Sequence, residues 1–145
     1  MLDCLVMEMI HQLEEQFDSL SQKPTPQMVL VVSRGQDYEL RLPQLGEDFV
    51  AGLIKGLVLV IPSAQVSQIR GPNLPATSGE TLSDFLARQR TPIRVHLSTN
   101  DSATTCWLLN VEDGWLRVAQ AHEVIWVPIE AIKKLEIVAV DNSNQ

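Results

Sequence analysis

Apolar and polar positions alternate with two different periods along this chain. Val6, Ile10, Leu13, Phe17 and Leu20 recur at spacings of four and three, which puts them on one face of a helix over about residues 2–20. Glu8, Glu14, Glu15 and Asp18 occupy much of the remaining surface, and Lys23-Pro24-Thr25-Pro26 stops the helix because proline cannot continue it. From Gln27 the period becomes that of strands. Met28–Ser33, Tyr38–Leu42, Asp48–Lys55, Leu57–Ile61 and Gln65–Arg70 are short runs rich in Val, Leu and Ile, divided by turn formers such as Gly35-Gln36-Asp37, Gly56 and Pro62-Ser63. Residues 72–80 are almost free of large apolar side chains and read as a linker. A short helix is predicted from Thr81 to Gln89, with Leu82 and Phe85 on one face and Thr81 or Ser83 as its cap. Pro92–Ser98, Thr104–Val111, Trp115–Ala121, Val124–Val127 and Ala131–Val138 then read as strands, and Asp141–Gln145 as a frayed tail.

The two strand-rich stretches align without a gap when one is shifted by 66 residues. Leu40 falls on Cys106, Leu42 on Leu108, Phe49 on Trp115, Val60 on Trp126, Pro62 on Pro128 and Ile69 on Leu135. The shared order of turn, aromatic residue, apolar run, proline and amphipathic strand predicts a duplication. The expected architecture is therefore mainly β, with two tandem small β-barrels, each preceded by a helix. Residues 1–71 form the N-terminal helix plus the first barrel, 72–80 the linker, and 81–140 the short helix plus the second barrel. Units this small bury a modest fraction of their surface, so they are expected to lean on each other.

Composition narrows the function classes. A formal charge of −7 argues against a broad basic surface for nucleic acid. Cys4 and Cys106 are too few for a disulfide framework and read as free thiols of a cytoplasmic protein. No run approaches the roughly 18 uninterrupted apolar residues of a membrane span, and the apolar N-terminus, interrupted by Asp3, Glu8 and His11, lacks the positive region of a signal peptide.

The order of a helix followed by five strands, with a tight turn after an apolar fourth strand ending in proline, looks like the Sm-like and SH3-like small barrels. More narrowly, the chain resembles an uncharacterised conserved protein family of actinobacteria. The residues carrying this are Leu13–Asp18, Gly46–Val50, Val60–Val66, Thr91–Leu97 and Val127–Ile132, spanning nearly the whole sequence. A longer charged segment expected after the first helix is missing here. The resemblance implies the fold and supplies no activity.

Chemistry is sparse. His11, His96 and His122 do not pair with a cysteine or with each other at ligand spacing, so no metal or cofactor is expected. No G-x-S-x-G elbow or phosphate-binding glycine loop is present, and Asp48, Asp113 and Glu123 sit in or beside turns, so the chain reads as non-enzymatic. Arg88, Arg90 and Arg94, with Lys133 and Lys134 nearby, form the weak candidate nucleic-acid patch. Ile69-Arg70-Gly71 superficially resembles an Sm signature but follows the fifth strand instead of preceding it. What remains is apolar surface. Leu57–Ile61 and Val124–Val127 are continuous apolar runs, so the faces bearing Leu57, Leu59, Ile61, Ile125 and Val127 need cover, and Trp107 is out of phase with the inward Cys106 and Leu108. Together with the helix stripe Val6, Ile10, Leu13 and Phe17, these are the candidate interface. Cover within the chain is the first reading, and a homodimer or other protein partner the second. The expected function is that of a protein-binding or scaffolding module with its partner unidentified. The alternative is an Sm-like RNA- or DNA-binding regulator.

Overall fold

Two-residue turns organise most of the hairpins. Arg34-Gly35, Lys55-Gly56 and Asp113-Gly114 each hold two consecutive residues at positive φ, the backbone that lets a tight turn follow the twist of its strands and that glycine adopts without steric penalty. The computed structural model describes residues 28–138, so the predicted N-terminal helix with Val6, Ile10, Leu13 and Phe17, and the predicted frayed tail, lie outside the described residues. The strands are β1 (Met28–Ser33), β2 (Gln36–Leu45), β3 (Phe49–Ile54), β4 (Leu57–Pro62), β5 (Val66–Arg70), β6 (Ile93–Thr99), β7 (Ala103–Glu112), β8 (Trp115–Gln120), β9 (Glu123–Pro128) and β10 (Ile132–Val138). The helix α1 (Leu82–Ala87) lies between β5 and β6, and single 3₁₀ turns, Ser63–Gln65 and Ile129–Ala131, follow β4 and β9.

The strands form one continuous antiparallel sheet in the order β5-β1-β2-β3-β4-β10-β6-β7-β8-β9. Each half therefore has the same internal order, and the halves join where β10 pairs with β4 through Leu135↔Val60 and Ile137↔Val58. This corrects the picture of two separately closed barrels. The sheet does not close, because the outer edge of β4 is occupied by a strand of the other half. The bulges coincide under the 66-residue shift as well. One interrupts β1–β5 at Val32/Ser33 and another β6–β10 at Ile132/Lys134. A second pair falls between Arg41 and Gln44 and between Leu108 and Asn110.

Two apolar clusters fill the interior. One, within the first half, holds Val29, Val31, Leu40, Val50, Leu59 and Ile61. The other joins the halves: Phe49, Ala51 and Val60 meet Leu82, Phe85 and Leu86 of α1 and the inward residues of β6–β8 and β10. Thr81 caps α1 by accepting the Asp84 N–H at 3.1 Å, and Asp48 Oδ1 accepts the Leu82 N–H at 2.7 Å. The Phe85 ring stands 5.0 Å from that of Phe49. The segment 72–80 is fastened beside the β2–β3 turn, where Ser78 N–H donates to the Leu45 carbonyl and Glu47 N–H to that of Glu80.

Two candidate interface residues are covered within the chain by this packing and are not open to a partner. Leu59 and Ile61 are fully buried because β4 has the first cluster on one face and the shared cluster on the other. A strand covered on both faces reads as an unbroken apolar run. Leu57 is half-buried on the same side. Among the described residues no helix is long and apolar enough to cross a membrane.

Candidate functional site

The second half presents its tryptophans to solvent. Residues opposite each other across a ladder share a face, and residues two apart on a strand do so too. The pairs Trp107↔Ala119 and Ala119↔Val124 make one row across β7–β9. Asn110↔Arg117 and Arg117↔Trp126 make the next, and Glu112↔Trp115 and Trp115↔Pro128 the third. All three tryptophans of the chain thus lie on one face, exposed by 47% (Trp107), 44% (Trp115) and 47% (Trp126), with Val124 at 51%. At ~4.8 Å between strands and ~3.4 Å per residue the patch spans on the order of 10 by 14 Å. Arg117 sits at its centre, donating to Asn110 Oδ1 at 3.1 Å. The other face of β8 buries Leu116 and Val118 in the core.

Of the predicted interface residues in this half, Trp107 is on the exposed face. Ile125 and Val127 are corrected. They point inward, half-buried and packed against the shared cluster, while Val124 and Trp126 point out. Sequence contained the signal for this phase. A two-residue turn at Ala121-His122 pairs Gln120 with Glu123 and so sets Arg117 opposite Trp126; a cationic residue with an outward position then carries Trp126 outward with it. Trp115 and Trp126 were the site residues that apolar-run reasoning missed.

Ile125 and Val127 also line a cleft of 280 Å³ with Leu97, Val118 and Thr104, rimmed by Asn100, Asp101 and Ser102. It opens beside β9, whose far edge has no strand partner among the described residues.

The basic residues do not form one patch. Arg88 is engaged by Glu80, with Nη2 3.1 Å from Oε1, and stacks over Phe85 at 4.9 Å. Arg94 lies on β6 opposite Trp107. Lys134 pairs with Ser98, about 13 Å along β6 from Arg94. Its Nζ reaches the Tyr38 hydroxyl at 3.3 Å, and with Lys133 it borders a cleft shared with Arg34 and Tyr38. Arg90 is exposed just past α1.

Polar groups with chemical potential are engaged structurally. The Cys106 thiol is buried, and burial pushes its pKa up, leaving it a poor nucleophile. His96 Nδ1 is 2.8 Å from the Thr105 hydroxyl, its cross-strand neighbour. Among the described residues no three His, Cys, Asp or Glu side chains gather as a metal-binding group. No protein-family model and no curated protein matches the sequence.

Proposed function

We propose that this is a non-catalytic protein-binding or scaffolding module. In this reading it is built from two tandem Sm/SH3-like five-stranded units that share one open sheet, and it belongs with the uncharacterised actinobacterial family it resembles. It works in the cytoplasm and meets its partner through the tryptophan face of β7–β9. The observation that carries this is the placement of all three tryptophans, with Val124, on one exposed sheet face. Aromatic side chains concentrate at interface centres because they bury large areas while fixing few rotatable bonds. Isolated apolar residues are ordinary on a surface, but a contiguous aromatic patch marks a contact site. The dispersal of the basic residues and the net charge of −7 weigh against the nucleic-acid alternative.

The reading is tested by placing a photo-crosslinking amino acid at position 126 or, as control, at exposed Glu39 of β2, in chains expressed in the source cell. The expected result is a protein adduct at 126 and none at 39. Equal labelling at both positions, or an adduct to nucleic acid at 126, overturns it.

A further inference from the structure

The two halves of the chain carry versions of one cleft that differ in charge. Under the 66-residue shift Ser33, Arg34, Gln36 and Tyr38 fall on Thr99, Asn100, Ser102 and Thr104. The first set lines a cleft of 240 Å³ at the β1–β2 turn, and the second lines the 280 Å³ cleft at the β6–β7 turn. The only charged residue in the wall of the latter is Asp101. The former holds Arg34 and is completed across the join by Ser98, Lys133 and Lys134, with no Asp or Glu in its wall. Three of the eleven Lys and Arg residues of an acidic chain meet at one small cleft.

Local structure explains how they meet. Consecutive side chains of a regular strand point to opposite faces, which would send Lys133 and Lys134 apart. The bulge between Ile132 and Lys134, with Lys133 as its extra residue, re-aims one of them. Both therefore border the cleft. The matching bulge of the first half carries Ser67 and Gln68, neutral at both positions.

Neutral oxygens hold these cations in place. Lys134 Nζ donates to the Tyr38 hydroxyl at 3.3 Å and lies 5.2 Å from the ring centroid. That hydroxyl in turn donates to Gln36 Oε1 at 2.7 Å. Arg34 Nη1 donates to Gln65 Oε1 at 3.2 Å. Among the described residues none of the three cations is in an ion pair, whereas Arg88 is paired with Glu80. Such partners fix position and leave the charge uncompensated, with further N–H donors on both the ammonium and the guanidinium.

The geometry points to a site for a small phosphate-bearing anion, inorganic phosphate or a phosphate monoester, held between Arg34, Lys133 and Lys134. A phosphate monoester carries about −1.5 to −2 at neutral pH and three strong acceptor oxygens. The guanidinium fork suits two of those oxygens, and the ammonium groups act as point charges beside them. A single carboxylate brings one charge to three cations. Ser98 adds a hydroxyl donor to the wall. At 240 Å³ the cleft is smaller than the roughly 300–1,000 Å³ of sites that enclose drug-sized ligands. The phosphate is thus the part recognised, and any organic remainder extends towards solvent.

The test is a nitrogen-15 NMR titration of the full chain at matched ionic strength, with inorganic phosphate, glycerol 3-phosphate and sodium chloride as separate probes. Saturable shifts of the Arg34, Ser98, Lys133 and Lys134 amides are expected with phosphate probes and absent with chloride. Equal affinity for the two phosphate probes means that the group alone is recognised; tighter binding of the monoester means that its organic part contributes. Lys134→Gln and Arg34→Gln should each weaken binding about tenfold, the loss of one charge-assisted hydrogen bond. If Lys134→Gln fails to fold by its thermal melt, Lys133→Gln takes its place. Arg94→Gln removes the same charge about 13 Å away along β6 and should bind as wild type does. No saturable response to either phosphate probe, or equal weakening by Arg94→Gln, overturns the proposal. So does a single-stranded oligonucleotide that shifts the same amides at a lower phosphate concentration than the monoester, because the cleft then belongs to an extended nucleic-acid surface.

Discussion

Single residues in this sheet are constrained most where two backbones approach. Gly52 on β3 has no room for a side chain: a Cβ there would stand 2.7 Å from the Leu40 Cβ and 3.1 Å from the Arg41 carbonyl oxygen. Neither neighbour is the loose end of a flexible side chain, so the strands must part. Gly52→Ala is expected to lower stability by roughly 1–3 kcal/mol, the usual range for overpacking, read as a lower midpoint in urea. Cys106 gives a pH prediction. Its pKa is raised in the folded chain by burial, so the folded state holds the thiol proton at pH values where the unfolded chain has released it. The contribution is complete below the ordinary thiol value of ~8.5 and is lost as pH rises above it. Removing the thiol with Cys106→Ala should therefore flatten the alkaline fall of the thermal midpoint. Sequence placed Cys106 inward correctly, as an apolar-phase neighbour of Leu108. It misjudged the phase of β9, because an unbroken apolar run carries no alternation from which to choose a face.

At the level of elements, local chemistry was legible and long-range cover was not. The strand predicted over Tyr38–Leu42 ends before Pro43, since proline has no N–H to give a ladder. In the structure β2 continues to Leu45, because Pro43 falls in the bulge between Arg41 and Gln44, where the regular ladder is interrupted. Leu42 takes the positive φ that this bulge requires. The sequence offers Thr81 or Ser83 as the helix cap, and Thr81 fills that role. The latch from Asp48 was not readable, since its partner lies 34 residues away. That carboxylate, accepting the Leu82 N–H, places negative charge at the helix start and fastens α1 to the first half. Asp48→Ala should lower stability by about 1–2 kcal/mol and speed amide hydrogen exchange across Leu82–Ala87. Unchanged exchange there would show that α1 is held by its apolar face alone.

For the whole molecule, the decisive feature is the strand that completes the β4 edge. Sequence indicated that the Leu57–Ile61 run needed cover on two faces, yet any apolar element could have met that need. Only the register Val60↔Leu135 identifies the partner as β10. The consequence is mechanical as well as topological. Because Phe49, Ala51 and Val60 sit in one cluster with residues of α1, β6–β8 and β10, the first half cannot separate without opening the core of the second. The halves should therefore unfold together, not in succession. Every tryptophan lies in the second half, so tryptophan fluorescence follows that half, while far-UV circular dichroism follows the strands of both. The two urea curves are expected to coincide. Leu135→Ala, which deletes a buried side chain at the join, should shift both curves together by about 2–5 kcal/mol. A first transition seen in dichroism but silent in fluorescence would mean that the β4–β10 ladder connects two independently stable units, and that the shared cluster does not couple them.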